Sequence, residues 1–340
     1  MLPVVKRFYC TYFDRRYLAR GLVLLRSLRE HAAGDWQSFV VCMDEESRKL
    51  LEKFALPNVT PMSIKQIEAA DAELVAAKNN RNRVEYLWTT TPAIILSLID
   101  NHPEIDVLTY LDADLCFYSS PEPIFAELDG ASVLIHEHRY APELEDMEIN
   151  GKYNVGLLCF RNDERGRSAL HWWRARCIES CHLDIKTGKC GDQMYLNDWP
   201  DRFPGVHVLQ HRGGGVAPWN VDQCILRTQN GQVLVEDEPL IFYHFHSLRI
   251  LGPETFRLAY RFYIRADVAD LIYRPYTRAL TEAMIDIQRA EPSFQFAFQQ
   301  PGFVEELWDF LFYFRPVSRF IALVRQAMRQ SSQCTPVTQP

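Results

Sequence analysis

The stretch "LTYLDADLCFYSSPEPIF" (Leu108–Phe125) decides how the rest of the chain is read. An apolar run reaches Asp112 and Asp114, one residue apart, and then apolar character resumes. A carboxylate is almost never buried without a partner. In an open α/β sheet the ligand crevice lies at the carboxyl ends of the strands. A strand over "DVLTYLDAD" (106–114) therefore delivers two carboxylates to that crevice, while the residue between them points the other way. Two like charges so placed raise each other's pKa unless a cation is near. A hard divalent cation with oxygen ligands and a substrate phosphate answers this. An isolated Asp-x-Asp is also a common turn or capping pattern, so its surroundings must decide.

Upstream, strand-like and helix-like stretches alternate. "RFYCTYFD" (7–14) and "SFVVCMD" (38–44) have strand composition, and "SVLIHEH" (132–138) follows as another strand. "YLARGLVLLRSLREH" (17–31) places Leu18, Leu22, Leu25 and Leu28 near one helical face. "EESRKLLEKFA" (45–55) opens with acids, as a helix dipole favours. "TPAIILSLIDNH" (91–102) predicts a helix with a proline near its start, and "PEPIFAEL" (121–128) a short one. This order predicts an α/β fold with a mostly parallel sheet flanked by helices.

Downstream, "YNVGLLCFRND" (153–163) reads as a strand and "RGRSALHWWRARCIESCH" (165–182) as a helix. "CGDQMYLNDW" (190–199) reads as a helix entered through a turn, "HRGGGVAPWN" (211–220) as a loop, and "PLIFYHFHSL" (239–248) as a strand ending in histidines. After about residue 255 the pattern becomes aromatic- and Arg-rich helices, and the polar tail after Ser331 reads as disordered. The predicted division is one domain over 1–254, in two parts of about 1–130 and 131–254, a helical region over 255–330 and a tail over 331–340.

Of the 340 residues, 47% are hydrophobic and 24% charged, with net charge −7, which argues for a globular protein and against a nucleic-acid footprint. No run of about 18 uninterrupted apolar residues exists, and "MLPVVKRFYCTYFD" lacks a signal-peptide pattern. With nine cysteines, these features predict reduced thiols and a cytoplasmic protein. Cys177, Cys181, His182 and Cys190 read as scattered thiols before they read as zinc ligands, because no second spaced pair follows.

Four further groups carry chemistry. His244 and His246 in "YHFHS" (243–247) would share a strand face and offer a third metal ligand; the alternative is one core and one exposed histidine. Asp192 and Gln193 offer a carboxylate and an amide to a polyhydroxy substrate, with Asp192 alternatively a helix cap. Asn154 and Gly156 interrupt a core strand, where asparagine is depleted; a bulge or edge would also account for them. Lys78, Arg81 and Arg83 could meet a diphosphate or form a solvated basic surface.

The order of these motifs resembles that of the GT-A-fold glycosyltransferases, most closely the retaining family-eight type. Asp-x-Asp after a core strand is followed by Asn-x-Gly, Asp-Gln, Pro-Trp-Asn and a histidine strand. "CTYFDRRYLARGLVLLRSLREH" is similar to that family's opening strand and helix, and the resemblance covers roughly residues 7–250. It implies that Asp112 and Asp114 bind Mn²⁺ or Mg²⁺, with Asp112 also at the donor, and that His244 or His246, with preference for His244, is the third ligand. Thr11, Tyr12 and Asp14 would line the nucleoside pocket. Arg83 and Asn220 would approach the donor, and Asn154, Asp192 and Gln193 would hold its sugar and serve catalysis. The implied activity is transfer from a nucleotide-diphospho-sugar, a UDP-sugar by preference, to a glycan or lipid-linked glycan.

Two other classes compete. A sugar-1-phosphate nucleotidyltransferase needs a glycine-rich N-terminal loop, absent from "TYFDRRYLARG". A non-catalytic nucleotide-sugar binder would not need intact Asp112, Asp114, Asp192 and Gln193. The segment with Phe303, Leu307, Phe310, Leu311 and Phe314, then Arg315, Arg319, Arg325 and Arg329, has two readings: peripheral contact with an anionic membrane, or packing on the catalytic domain or a second subunit of a homo-oligomer.

Overall fold

A computed structural model describes residues 5–184, 189–260, 262–299 and 302. The strands that position the site are β1 (Arg7–Phe13), β2 (Trp36–Cys42), β3 (Val59–Ser63), β4 (Val107–Leu111), β5 (Leu115–Phe117), β6 (Val133–Glu137), β7 (Tyr153–Arg161), β8 (Val206–Val208) and β9 (Phe242–His244). The helices are α1 (Leu18–His31), α2 (Glu45–Phe54), α3 (Arg83–Asn101), α4 (Glu164–Glu179) and α5 (Arg274–Ala290).

Seven strands form one sheet in the order β8-β6-β7-β4-β1-β2-β3. Neighbours run parallel except at β7, which is antiparallel to both β4 and β6. Parallel returns need crossovers, which helices such as α1 and α2 supply; β7 follows β6 without one and so can return antiparallel. Central β4 is buried along its whole length, as a strand covered on both faces must be. Phe8 and Cys10 face Ile94, Leu98 and Trp173 from α3 and α4. Tyr9 faces Leu24 and Leu28 of α1 on the other side. The opposite flank of α1 packs Leu18, Leu22 and Leu25 with Leu280, Ala283 and Ile287 of α5. A helix squeezed between sheet and helix is apolar nearly all round, which explains its leucine-rich sequence. Arg26 and Asp286 pair across this contact at 2.8 Å.

The structure corrects four expected elements. The helix expected from residue 91 begins at Arg83, because Asn82 and Glu85 form a reciprocal capping box. Pro92 is then internal and lacks the N–H for the preceding turn. In the turn before it, the Thr89 and Thr90 hydroxyls donate back to the Glu85 and Tyr86 carbonyls at 2.8 and 2.7 Å. The single helix expected over 190–199 is a 3₁₀ turn, Gln193–Leu196, and a short helix, Trp199–Arg202; Pro200 cannot continue a helix from the preceding turn. The strand expected over 239–248 is three residues long, since its partner β5 has only three. Within the helical region expected after 255, Thr255–Arg257 instead pairs as a strand with Arg249–Gly252. The expectations for 303–340, including the amphipathic segment and the tail, lie outside the described residues. Among the described residues no helix is long and apolar enough to cross a membrane.

Candidate metal and donor site

The site forms where β4 ends. The Asp112 N–H donates to the Gly156 carbonyl at 2.8 Å, and Leu115 closes a turn back onto the Asp112 carbonyl at 3.1 Å. The chain then re-enters β5, which pairs antiparallel with β9 so that Leu115 faces His244. The Phe245 N–H donates to the Asp114 carbonyl at 2.9 Å. This small ribbon brings together groups about 130 residues apart in sequence.

Asp112, Asp114 and His244 each direct one ligand atom into a cluster whose atoms lie within 4.8 Å of one another. His244 Nε2 is 3.2 Å from Asp114 Oδ1 and 3.7 Å from Asp112 Oδ2. Among the described residues no Lys or Arg pairs with either carboxylate. Burial pushes the Asp112 carboxyl up, His244 pulls it down and Asp114 pushes it up again, and the net shift is upward. Burial also acts upward on Asp114, but His244, His246 and Arg20 outweigh it and hold that carboxyl low. Burial lowers the His244 pKa, yet the two carboxylates overcome it and raise it. His244 thus sits against two carboxylates that favour its charged form, and two carboxylate oxygens with one imidazole nitrogen make a donor set for a divalent cation.

Glycine at 156 is required by close approach. A Cβ there would lie 2.9 Å from His244 Nδ1 and 2.6 Å from Asn154 Oδ1. His246 is not part of the cluster. Strand alternation stops at His244, and the exposed His246 ring packs edge-on to Trp219 at 5.4 Å.

Asp192 is 3% exposed, and its Oδ2 has no hydrogen-bond partner. It follows Gly191, which takes φ +67° against the face of Trp88; an L side chain would be strained in that conformation. Burial pushes the Asp192 carboxyl up to about 7, with Asp112 adding to the rise and the Thr91 hydroxyl opposing it. Gln193 donates from Nε2 to the Asn150 carbonyl at 2.5 Å.

At the end of β1, Thr11 is buried with an unpartnered hydroxyl. The Tyr12 hydroxyl donates to the Leu87 carbonyl at 2.9 Å and lies 3.0 Å from Thr91 Oγ1. Asp14 forms an ion pair with Arg83. Of Lys78, Arg81 and Arg83, only Arg83, the first residue of α3, is turned here; Lys78 pairs with Glu68, and Arg81 donates to the Cys177 and Ile178 carbonyls.

Two expected donor-holding residues have their amides committed inside the protein. Asn154 donates to His138 Nε2 at 3.0 Å and accepts from the Gly156 N–H at 2.8 Å. Asn220 accepts from the Ala217 N–H and donates to the His138 and Gly215 carbonyls. Both set the shape of the loops around the site. Asn154 sits where the β6–β7 register shifts, which accounts for an asparagine in a core strand.

Beside the site a groove of 550 Å³ is lined by Glu137, Arg139, Tyr140, Glu145, Glu148 and Lys152. The Tyr140 ring stacks on His138 at 4.7 Å. Sequence reading missed Arg20, Tyr110 and Trp219. Arg20 is 5% exposed and donates to the Leu248 carbonyl at 2.8 Å. A charged residue inside the apolar run that opens α1 was its signal.

No protein-family model matches the chain. It is 32% identical over 290 residues to the uncharacterized protein YfnD of Bacillus subtilis (strain 168), covering 84% of this chain and 92% of that protein. It is 31% identical over 294 residues to the uncharacterized protein YfnF of the same organism, covering 84% and 95%. Among solved structures, the galactosyltransferase LgtC in complex with donor and acceptor sugar analogs has a TM-score of 0.51, with 15% identity, over 81% of this chain and 95% of that one. That likeness concerns the fold: a mainly parallel sheet flanked by helices, of the GT-A glycosyltransferase type. The chain belongs to the family of YfnD and YfnF, and its fold is that of the GT-A glycosyltransferases.

Proposed function

We propose that this protein is a metal-dependent glycosyltransferase that moves a sugar, with retention, from a UDP-sugar to a glycan or lipid-linked glycan, as family-eight enzymes do. The observation that carries this reading is the convergence of Asp112, Asp114 and His244 at the carboxyl end of β4. A Mn²⁺ or Mg²⁺ ion bound there would neutralise charge on the nucleoside diphosphate leaving group.

The chain's own residues do the rest. Thr11 and Tyr12, with the Asp14–Arg83 pair, border the nucleoside end. Asp192 presents a buried, unpartnered oxygen to the donor sugar's hydroxyls, so ligand binding supplies the hydrogen bond that burial removed. Gln193, anchored through Nε2, keeps its carbonyl oxygen for the sugar face opposite the leaving group. The groove at Tyr140 offers an aromatic face and carboxylates, a combination suited to a sugar acceptor. Arg83, paired with Asp14, is a cation at the nucleotide end and stabilises developing phosphate charge.

The test is incubation with a panel of nucleotide sugars and Mn²⁺, read by thermal shift and by nucleoside diphosphate release. A matching donor raises the melting temperature and is turned over in wild type but not in Asp114→Asn. No shift and no release across the panel would overturn the proposal. Product anomeric configuration by NMR tests retention separately.

A further inference from the structure

We propose that Tyr110 is a positioning residue for the cation site: its hydroxyl sets which oxygen of Asp112 is offered to the ion. This rests on the reading of Asp112, Asp114 and His244 as the cation's ligands.

The two Asp112 oxygens have different surroundings. Oδ1 accepts the Tyr110 hydroxyl at 2.7 Å. Oδ2 lies on the His244 side, 3.7 Å from the same Nε2 that meets Asp114. The terminal torsion of an aspartate is broad and roughly two-fold, so a free Asp112 would exchange its oxygens and blur their direction. With Oδ1 engaged, a single oxygen faces the cluster.

The holder is itself held. Tyr110 precedes Asp112 by two residues, and its side chain is 2% exposed in the sheet core. Its ring stacks on Tyr12 with centroids 5.8 Å apart and planes 28° apart. Tyr12 is pinned to α3 through the Leu87 carbonyl and Thr91. A chain of fixed groups thus runs from α3 through two rings to one carboxylate oxygen. Partners of this kind orient metal ligands, and their loss typically weakens metal binding.

The experiment is Mn²⁺ titration of metal-free protein without nucleotide, following free Mn²⁺ by EPR, for wild type, Tyr110→Phe and Tyr12→Phe. Tyr110→Phe keeps the ring and its stack and removes only the hydroxyl. Its Mn²⁺ Kd should rise about tenfold, with a cooperative melting transition retained. A role in packing alone predicts wild-type affinity, and that result overturns the proposal. Should Tyr110→Phe fail to fold, Tyr12→Phe decides, because it loosens the stack without touching Asp112. A loss of about threefold or more supports the proposal, and wild-type affinity overturns it. No Mn²⁺ binding by wild type would overturn the cation site itself, and this proposal with it.

Discussion

Asp192→Asn should stabilise the metal-free protein while abolishing sugar transfer. The carboxyl is buried with one oxygen unpartnered, and its pKa stands at about 7 against an ordinary 3.8. A folded-state pKa raised above the unfolded value means that stability is fullest below the unfolded pKa and is lost as pH rises through the folded one. Below about pH 3 the group is protonated in both states and costs nothing, and near pH 4 the cost is still small. Above pH 7 it is ionised in both, and a shift of about three units at about 1.36 kcal/mol each gives a penalty of about 4 kcal/mol. Asparagine removes the charge and the penalty together. At about 2.1 cal/mol/K per residue over roughly 300 ordered residues, about 4 kcal/mol corresponds to a rise of about 6 °C. The assay is calorimetry in EDTA from pH 4 to pH 8.5. Asp192→Asn should melt several degrees above wild type at pH 8 and converge with it near pH 4. A difference independent of pH, or a less stable variant at pH 8, would refute the reasoning.

Three other substitutions test neighbouring parts. Gly156→Ala places a methyl 2.9 Å from His244 Nδ1 and should displace the ring, weakening Mn²⁺ binding by roughly tenfold or more, as measured by EPR titration. Arg83→Gln should raise the donor KM by about tenfold or more, the value of one hydrogen bond to a charged group, with acceptor KM unchanged in initial-rate kinetics. Tyr140→Ala should raise acceptor KM by about fivefold, for the roughly 1 kcal/mol of an aromatic contact, leaving nucleotide-sugar hydrolysis without acceptor unaffected.

What the sequence made legible follows from physics that is local. The strands β1, β2, β4 and β6 and the helices α1 and α2 were readable because each carries its own periodicity, whereas β3 and the short helices of 64–77 were not, and Asp112 and Asp114 stood out because a core strand should not run into carboxylates. The convergence of His244 was partly readable, but that His246 lies outside the cluster was not. Both fit a strand pattern, but the strand's length is set by β5, whose three residues lie far away in sequence. Asn154 and Asn220 carried a signal, polar residues among apolar ones, that does not separate ligand binding from internal hydrogen bonding. Only the partners His138, Gly156 and Ala217 decide that. Tyr110 gave no signal, because a tyrosine in a buried strand is ordinary β composition.

The pairing of β5 with β9 sets when the cation site can exist. A chain growing from its N-terminus has both aspartates long before it has His244, and until Phe242–His244 docks against Leu115–Phe117 the carboxylates face each other without a third group. A cation that needs all three residues therefore favours only chains that have closed this long loop. Its binding energy would add to the stability of the whole fold rather than to the N-terminal half alone. Fragments ending before residue 242 should then gain no thermal protection from Mn²⁺, which makes cation protection a readout of complete folding.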